Sequence, residues 1–325
     1  MKFDYIYKKV MSGVSMAFPL LVATTLIQAF ITFLLRHNLI QIEFYGEIIK
    51  ITSYALLIVV PLTAGGITNS ISGKVGLMPG MMIGIISNLT GASLFGAIVY
   101  SFIIGHIINA FIKVKFSVEI QRVIPTIIFP LLFGVIAPLA YYFLFTGVFS
   151  YINELLVQLF NTDIVLLKFV LGSLFGFLMV YDLGGRVNKT TSMFLNGMFL
   201  LGIYEAPVLK MVGGMIAPIF YGIIQLFRKE KSIILLGSFF ITESLIPYYE
   251  KDKDRIMLSS IVGTVLATGL AFVYNIQSLA IQGGVFTLWM VERWKELLIV
   301  FIVGISCSIL VYVFYPRLKV KNYRN

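Results

Sequence analysis

The sequence predicts an all-α polytopic membrane protein, with about ten transmembrane helices, re-entrant hairpins and two helical halves. Three observations carry this prediction. Hydrophobic residues fill 59% of the 325 positions and charged residues only 12%, whereas soluble domains carry about 25% charged residues. Apolar runs of about 18 residues or more recur along the chain, and the segments 131–145 and 297–314 contain no acid or base. These runs are apolar on every face, unlike the alternating segments of about 10 residues that build a transmembrane β-barrel.

The first apolar stretch, 14–35, is too long for the apolar core of a cleavable signal peptide, so it is expected to persist as a first helix. Further helices are expected near 51–71, 91–112, 123–146, 165–182, 190–204, 207–227, 232–247, 257–275 and 297–315. The segment 36–50, with Glu43 and Glu47 and few bases, is expected outside. Basic clusters at Lys8-Lys9, Lys113-Lys115-Arg122, Arg228-Lys229-Lys231, Lys251-Lys253-Arg255 and Arg317-Lys319-Lys321-Arg324 place those loops and both termini in the cytoplasm. Basic residues in these places also explain the net charge of +10 without nucleic acid, and no nucleic-acid partner is expected.

Gly76, Pro79 and Gly80 interrupt apolar sequence between the helices near 51–71 and 91–112, which predicts a re-entrant or broken helix there. Glycine pairs at Gly65-Gly66, Gly184-Gly185, Gly213-Gly214 and Gly283-Gly284 have two readings: broken helices that turn backbone toward a substrate, or close helix packing. The relatively polar stretch 150–163 reads as an amphipathic link, dividing the chain into an N-terminal half, 1–155, and a C-terminal half, 156–325.

Ionisable groups within apolar sequence are the candidates for function, because burying them is costly. Glu243, in Ile241-Thr242-Glu243-Ser244-Leu245-Ile246-Pro247, is either an acid at a helix end or an acceptor for two hydroxyls of a neutral polyol. Asp182 precedes Gly184-Gly185 and then Asn188, Lys189, Thr190 and Thr191, a pattern that suits either a capped re-entry loop or a binding turn. Gln282 stands beside Gly283-Gly284. His37 and His106 are far apart and lack companion ligands, and Cys307 is the only cysteine, so no metal site, cofactor or internal disulfide is expected. No P-loop, nucleophile elbow or dinucleotide fingerprint is present, which excludes an ATP-driven pump on this chain alone.

Taken together, these segments resemble the membrane subunit IIC of the fructose family of the phosphoenolpyruvate-dependent sugar phosphotransferase system. Six motifs carry the resemblance in the family's order: Ser12 to Pro19, Gly73 to Gly80, Phe95 to Gly105, Asp182 to Lys189, Ile241 to Pro247 and Ala280 to Phe286. The resemblance implies inward movement of a hexose or polyol, phosphorylated by a separate IIB subunit from a phosphocysteine, with IIA on a further chain. It also implies a homodimer in the bacterial inner membrane, an N-terminal scaffold half and a C-terminal substrate half. By this resemblance Glu243 contacts the sugar, and Thr242, Gln282, Asp182, Asn188 and Lys189 line or support the site. The sequence departs from the motifs at Gln282, where the family has histidine, at Arg186, where it has proline, and at Ser244, where it has glycine. Such departures keep a second reading in view, a non-phosphorylating facilitator or membrane sensor derived from the same family.

Overall fold

The computed structural model describes residues 2–226, 232–250 and 252–322. The expected basic positions Arg228, Lys229, Lys231, Lys251 and Arg324 lie outside these residues. Every regular element among the described residues is helical, and the chain divides into two compact units, Met1–Leu159 and Phe160–Asn325.

The first unit contains α1 (Lys2–Arg36), α2 (Ile42–Leu57), α3 (Val59–Ser72), α4 (Leu77–Leu89), α5 (Ser93–Ile112), α6 (Val118–Val123), α7 (Ala137–Leu144) and most of α8 (Thr146–Phe160). Helix begins at Ile42, so the segment expected as an external loop is half helical. α2 and α3 form one apolar stretch, Ile42–Ser72, broken at Ile58, three residues before Pro61, which has no N–H to continue the ladder. α3 is buried along most of its length because small residues let its neighbours approach. A Cβ on Gly84 of α4 would lie 2.4 Å from Pro61 Cα, so the α3–α4 crossing requires glycine there. α4 has 13 residues, about 20 Å of rise, too short for a hydrocarbon core of about 30 Å. The chain reverses at Gly73, with φ +77°. Gly76 ends a 3-10 turn, and Pro79 and Gly80 lie in the first turn of α4, where a missing proline N–H costs no helical bond. Between α6 and α7 the helix widens to π geometry over Ile124–Ile128 and Pro130–Ile136. Pro125 and Pro130 remove donors there, which relaxes the ladder.

The second unit opens with α9 (Val165–Val180). The second unit continues with α10 (Arg186–Leu200), α11 (Ala206–Leu226), α12 (Ser232–Ser238), a 3-10 turn at Thr242–Leu245, α13 (Ile246–Tyr249), α14 (Lys253–Val273) and α15 (Trp294–Asn322). α11 is the spine: Val208, Val212, Met215 and Ile216 pack with Ala267 and Ala271 of α14 and Val300 and Phe301 of α15.

Seven helices among the described residues are long and apolar enough to cross a membrane, eight if the bent α8–α9 pair counts as one span, so the expected count of about ten is too high. The excess comes from three runs read as spans. α9, α10 and α12 hold only 16, 15 and 7 residues, because the chain leaves the helix at Leu183-Gly184, Leu201-Gly202 and Phe240, four of which carry positive φ. The protein is a multi-pass α-helical membrane protein.

Candidate functional site

In the second unit three breaks in regular helix settle against α11, and each holds predicted site residues. The first lies between α9 and α10. Asp182 accepts hydrogen bonds from the backbone N–H groups of Val187, at 2.6 Å, and Asn188, at 3.1 Å. Both carboxylate oxygens thus cap α10, where the helix dipole also favours negative charge. Asp182 is therefore a builder of the turn. Asn188 is buried and donates its amide to the Met179 carbonyl, while Lys189 remains exposed. Leu183 and Gly184 adopt φ of +48° and +95°, and Gly185 precedes the first residue of α10.

The second break carries Thr242 and Glu243. Phe240, with φ +65°, reverses the chain after α12. The buried Thr242 hydroxyl then donates to the Gly214 carbonyl of α11 at 2.9 Å. With its neighbour pinned, Glu243 points away from the spine, and its side chain is 46% exposed. Lys189 Nζ lies 3.8 Å from Glu243 Oε1. A Cβ on Gly184 would come within 2.5 Å of the Glu243 carboxyl carbon, so glycine is needed for positive φ and for the carboxylate's place alike. The ion pair is too exposed to contribute much stability. Its consequence is spatial: a cation, a carboxylate and bare backbone share one solvent-accessible spot.

The third break is the long non-helical connection between α14 and α15. Lys210, on α11 and 2% exposed, donates to the Ile281 carbonyl at 3.0 Å and to Asn196 Oδ1 on α10 at 3.2 Å. The Phe240 ring lies 5.7 Å from the same ammonium. Gly283 sits against Met211, where a Cβ would meet the Met211 side chain at 2.7 Å, and Gly284 has φ +143°. At the start of this connection Gln277 donates to Glu205 at 2.8 Å. Gln282 Oε1 is buried and has no hydrogen-bond donor among the described residues.

Asp182, Asn188, Lys189 and Glu243 therefore gather through α10 and Gly184. Thr242 serves as the anchor. Gln282 attaches to the same spine through Ile281 and Lys210, and no hydrogen bond or ion pair joins it to Glu243. Lys210 was missed among the candidates, although a lysine within the apolar run 207–227 satisfies the criterion that picked out Glu243. Asn196 had no such signal.

A cavity of about 1010 Å³ opens beside Asp182 and Leu183, lined also by Ile246, Tyr249, Lys253 and Tyr315. Glu243 and Gln282 do not line it, and the three breaks mark the candidate site better than this space does. No group of three His, Cys, Asp or Glu side chains able to hold a metal occurs among the described residues. His106 Nδ1 lies 2.9 Å from the Phe102 carbonyl, one turn back on α5.

No family model matches the chain, and no solved structure matches it. Curated relatives do. The fructose-specific EIIABC component of the phosphotransferase system of Bacillus subtilis (strain 168) is 26% identical over 321 residues, covering 92% of this chain. The chain spans about half the length, 50%, of that relative. The fructose permease IIC component of Bacillus amyloliquefaciens is 26% identical over 268 residues, 77% of this chain and 86% of that protein. The fructose-like permease IIC component 2 of Escherichia coli (strain K12) is 27% identical over 251 residues, 73% of this chain and 69% of that protein.

Proposed function

We propose that this chain, which is similar to fructose-type membrane subunits of the phosphotransferase system, is a sugar-translocating IIC subunit of that family. It imports a hexose or polyol across a bacterial inner membrane, as a homodimer, for phosphorylation by IIB and IIA subunits on separate chains. The observation that carries this reading is Glu243, a half-exposed carboxylate held at a chain break over Gly184. Paired sugar hydroxyls are suitable donors for such a carboxylate, and charge-assisted hydrogen bonds are the strong ones. Thr242, Asn188 and Asp182 hold the surrounding turns, Lys189 flanks the carboxylate, and Gln282 Oε1 offers a further acceptor. The second unit is the substrate half and the first the scaffold. The chain's contribution to phosphoryl transfer is orientation: it holds one hydroxyl in line with the phosphocysteine of the partner.

Reconstituted vesicles test this directly. With IIB, IIA and a phosphoryl donor outside the cytoplasmic face, phosphorylated sugar is expected on that face, and without IIB none. Equal movement of unmodified sugar with and without IIB would instead establish the facilitator, the reading that the Gln282 departure favours.

Gln282 also yields a pH test. A neutral amide hydrogen-bonds but exchanges no proton, while histidine titrates near neutrality. Gln282→His is therefore expected to give sugar binding or uptake a pH dependence near neutrality that the parent protein lacks. An unchanged profile would assign position 282 to structure alone.

A further inference from the structure

The first unit contains a second cavity, remote from the sugar-site residues in sequence and built differently. It has a volume of about 790 Å³, within the range of about 300–1,000 Å³ that holds small ligands. Its walls are apolar: Met78 and Met82 from α4, Phe111 from the end of α5, and Pro125, Phe129 and Pro130 from the π-widened segment. Gly134 completes the lining, and a Cβ built there meets nothing within 4 Å. The helix that forms one wall is the least buried of the candidate spans among the described residues, with 17% of its apolar window buried, so this face is open at the surface of the unit.

One lining residue is charged. Lys74 is exposed and makes no hydrogen bond or ion pair among the described residues. The cavity's other polar edge, Val114 to Gln121, is interleaved with Lys113, Lys115 and Arg122, all exposed, with Glu119 the single acid of that loop. Basic loops of this kind face the cytoplasmic leaflet, whose surface is negative. An acyl-sized apolar chamber with a cationic collar at the cytoplasmic headgroup level matches one chemistry, an anionic amphiphile.

We propose that this cavity binds one anionic phospholipid of the cytoplasmic leaflet, an acyl chain lying between α4 and the π-widened helix, and the phosphate on Lys74. The Met side chains adapt to a flexible chain, and the prolines supply the widening that opens the chamber. The collar distinguishes this lipid from the bulk bilayer, which covers the remaining apolar faces without selecting a headgroup.

Native mass spectrometry of the purified full chain, titrated with phosphatidylglycerol or phosphatidylcholine, tests the assignment. Retention of one phosphatidylglycerol is expected at about fivefold higher occupancy than phosphatidylcholine, the factor that about one basic residue confers at an anionic surface. Lys74→Gln should abolish that preference while leaving chain-dependent retention of both lipids. Gly134→Leu starts from a Cβ with nothing within 4 Å and should remove the tightly held lipid of either headgroup, with an unchanged melting temperature in detergent. Equal retention of the two lipids by the parent protein, or parent-like retention by Gly134→Leu, would overturn the proposal. Displacement of the lipid by inorganic phosphate would make the site an anion site, and an altered oligomeric state of Gly134→Leu with lipid retained would make it an interface between copies; either result also overturns it.

Discussion

Glu243→Gln is expected to weaken sugar binding by about ten- to a hundredfold while the protein still inserts and purifies in normal yield. A hydrogen bond to a charged group contributes about 1.5–3 kcal/mol, and each 1.4 kcal/mol is about tenfold in affinity. The substitution also removes the Lys189 contact, but at 3.8 Å, with both side chains about half exposed, such a pair is worth about 0–1 kcal/mol and cannot account for a hundredfold loss. A role in holding the fold predicts the opposite pattern, reduced yield with parent-like affinity in the surviving protein. Affinity and folded yield measured on the same purified variant separate the two. Parent-like affinity would remove Glu243 from the substrate site.

Lys210→Met is the second large effect, and it falls on stability first. Methionine fills the lysine's space without its donors, leaving the Ile281 carbonyl and Asn196 Oδ1 without the bonds they accept at 3.0 and 3.2 Å. Hydrogen bonds between membrane helices contribute about 0.6 kcal/mol on average. Two bonds lost at a fully buried donor put the destabilisation at about 1–3 kcal/mol. The connection between α14 and α15 is expected to loosen, seen as a lower melting temperature in detergent and faster proteolysis near Gln282. Sugar affinity should fall with it, because Gln282 neighbours the released carbonyl. Unchanged melting and unchanged cleavage would show that Lys210 does not tie that connection to α11.

Both positions lie in apolar sequence, yet only one was picked out from it. Glu243 stood out because Pro247 and Ser244 follow it and end any regular helix. Lys210 is flanked by residues that continue the helix on both sides, so nothing in its local pattern distinguished an inward lysine from a snorkelling one. Asp182 was legible as a residue of the turn, and its spacing to the next helix start already allowed a cap. That both oxygens are used in capping, at 2.6 and 3.1 Å, depends on how α10 folds back after Gly184.

The class is legible in the amino-acid pattern alone: 59% hydrophobic residues in runs long enough to span a bilayer admit no soluble or barrel alternative. That pattern also marked some of the breaks: Gly184-Gly185 and Gly283-Gly284 lie at them, whereas Gly65-Gly66 and Gly213-Gly214 lie inside α3 and α11, where they serve close packing. Which breaks meet is set by long-range packing. Thr242 finds the Gly214 carbonyl 28 positions away and Lys210 the Ile281 carbonyl 71 positions away, and no local periodicity encodes such partners. Helix count needed the fold for the same reason. α9 and α10 hold 16 and 15 residues, short of a hydrocarbon core of about 30 Å, and where they end is set by the turns at Leu183-Gly184 and Leu201-Gly202.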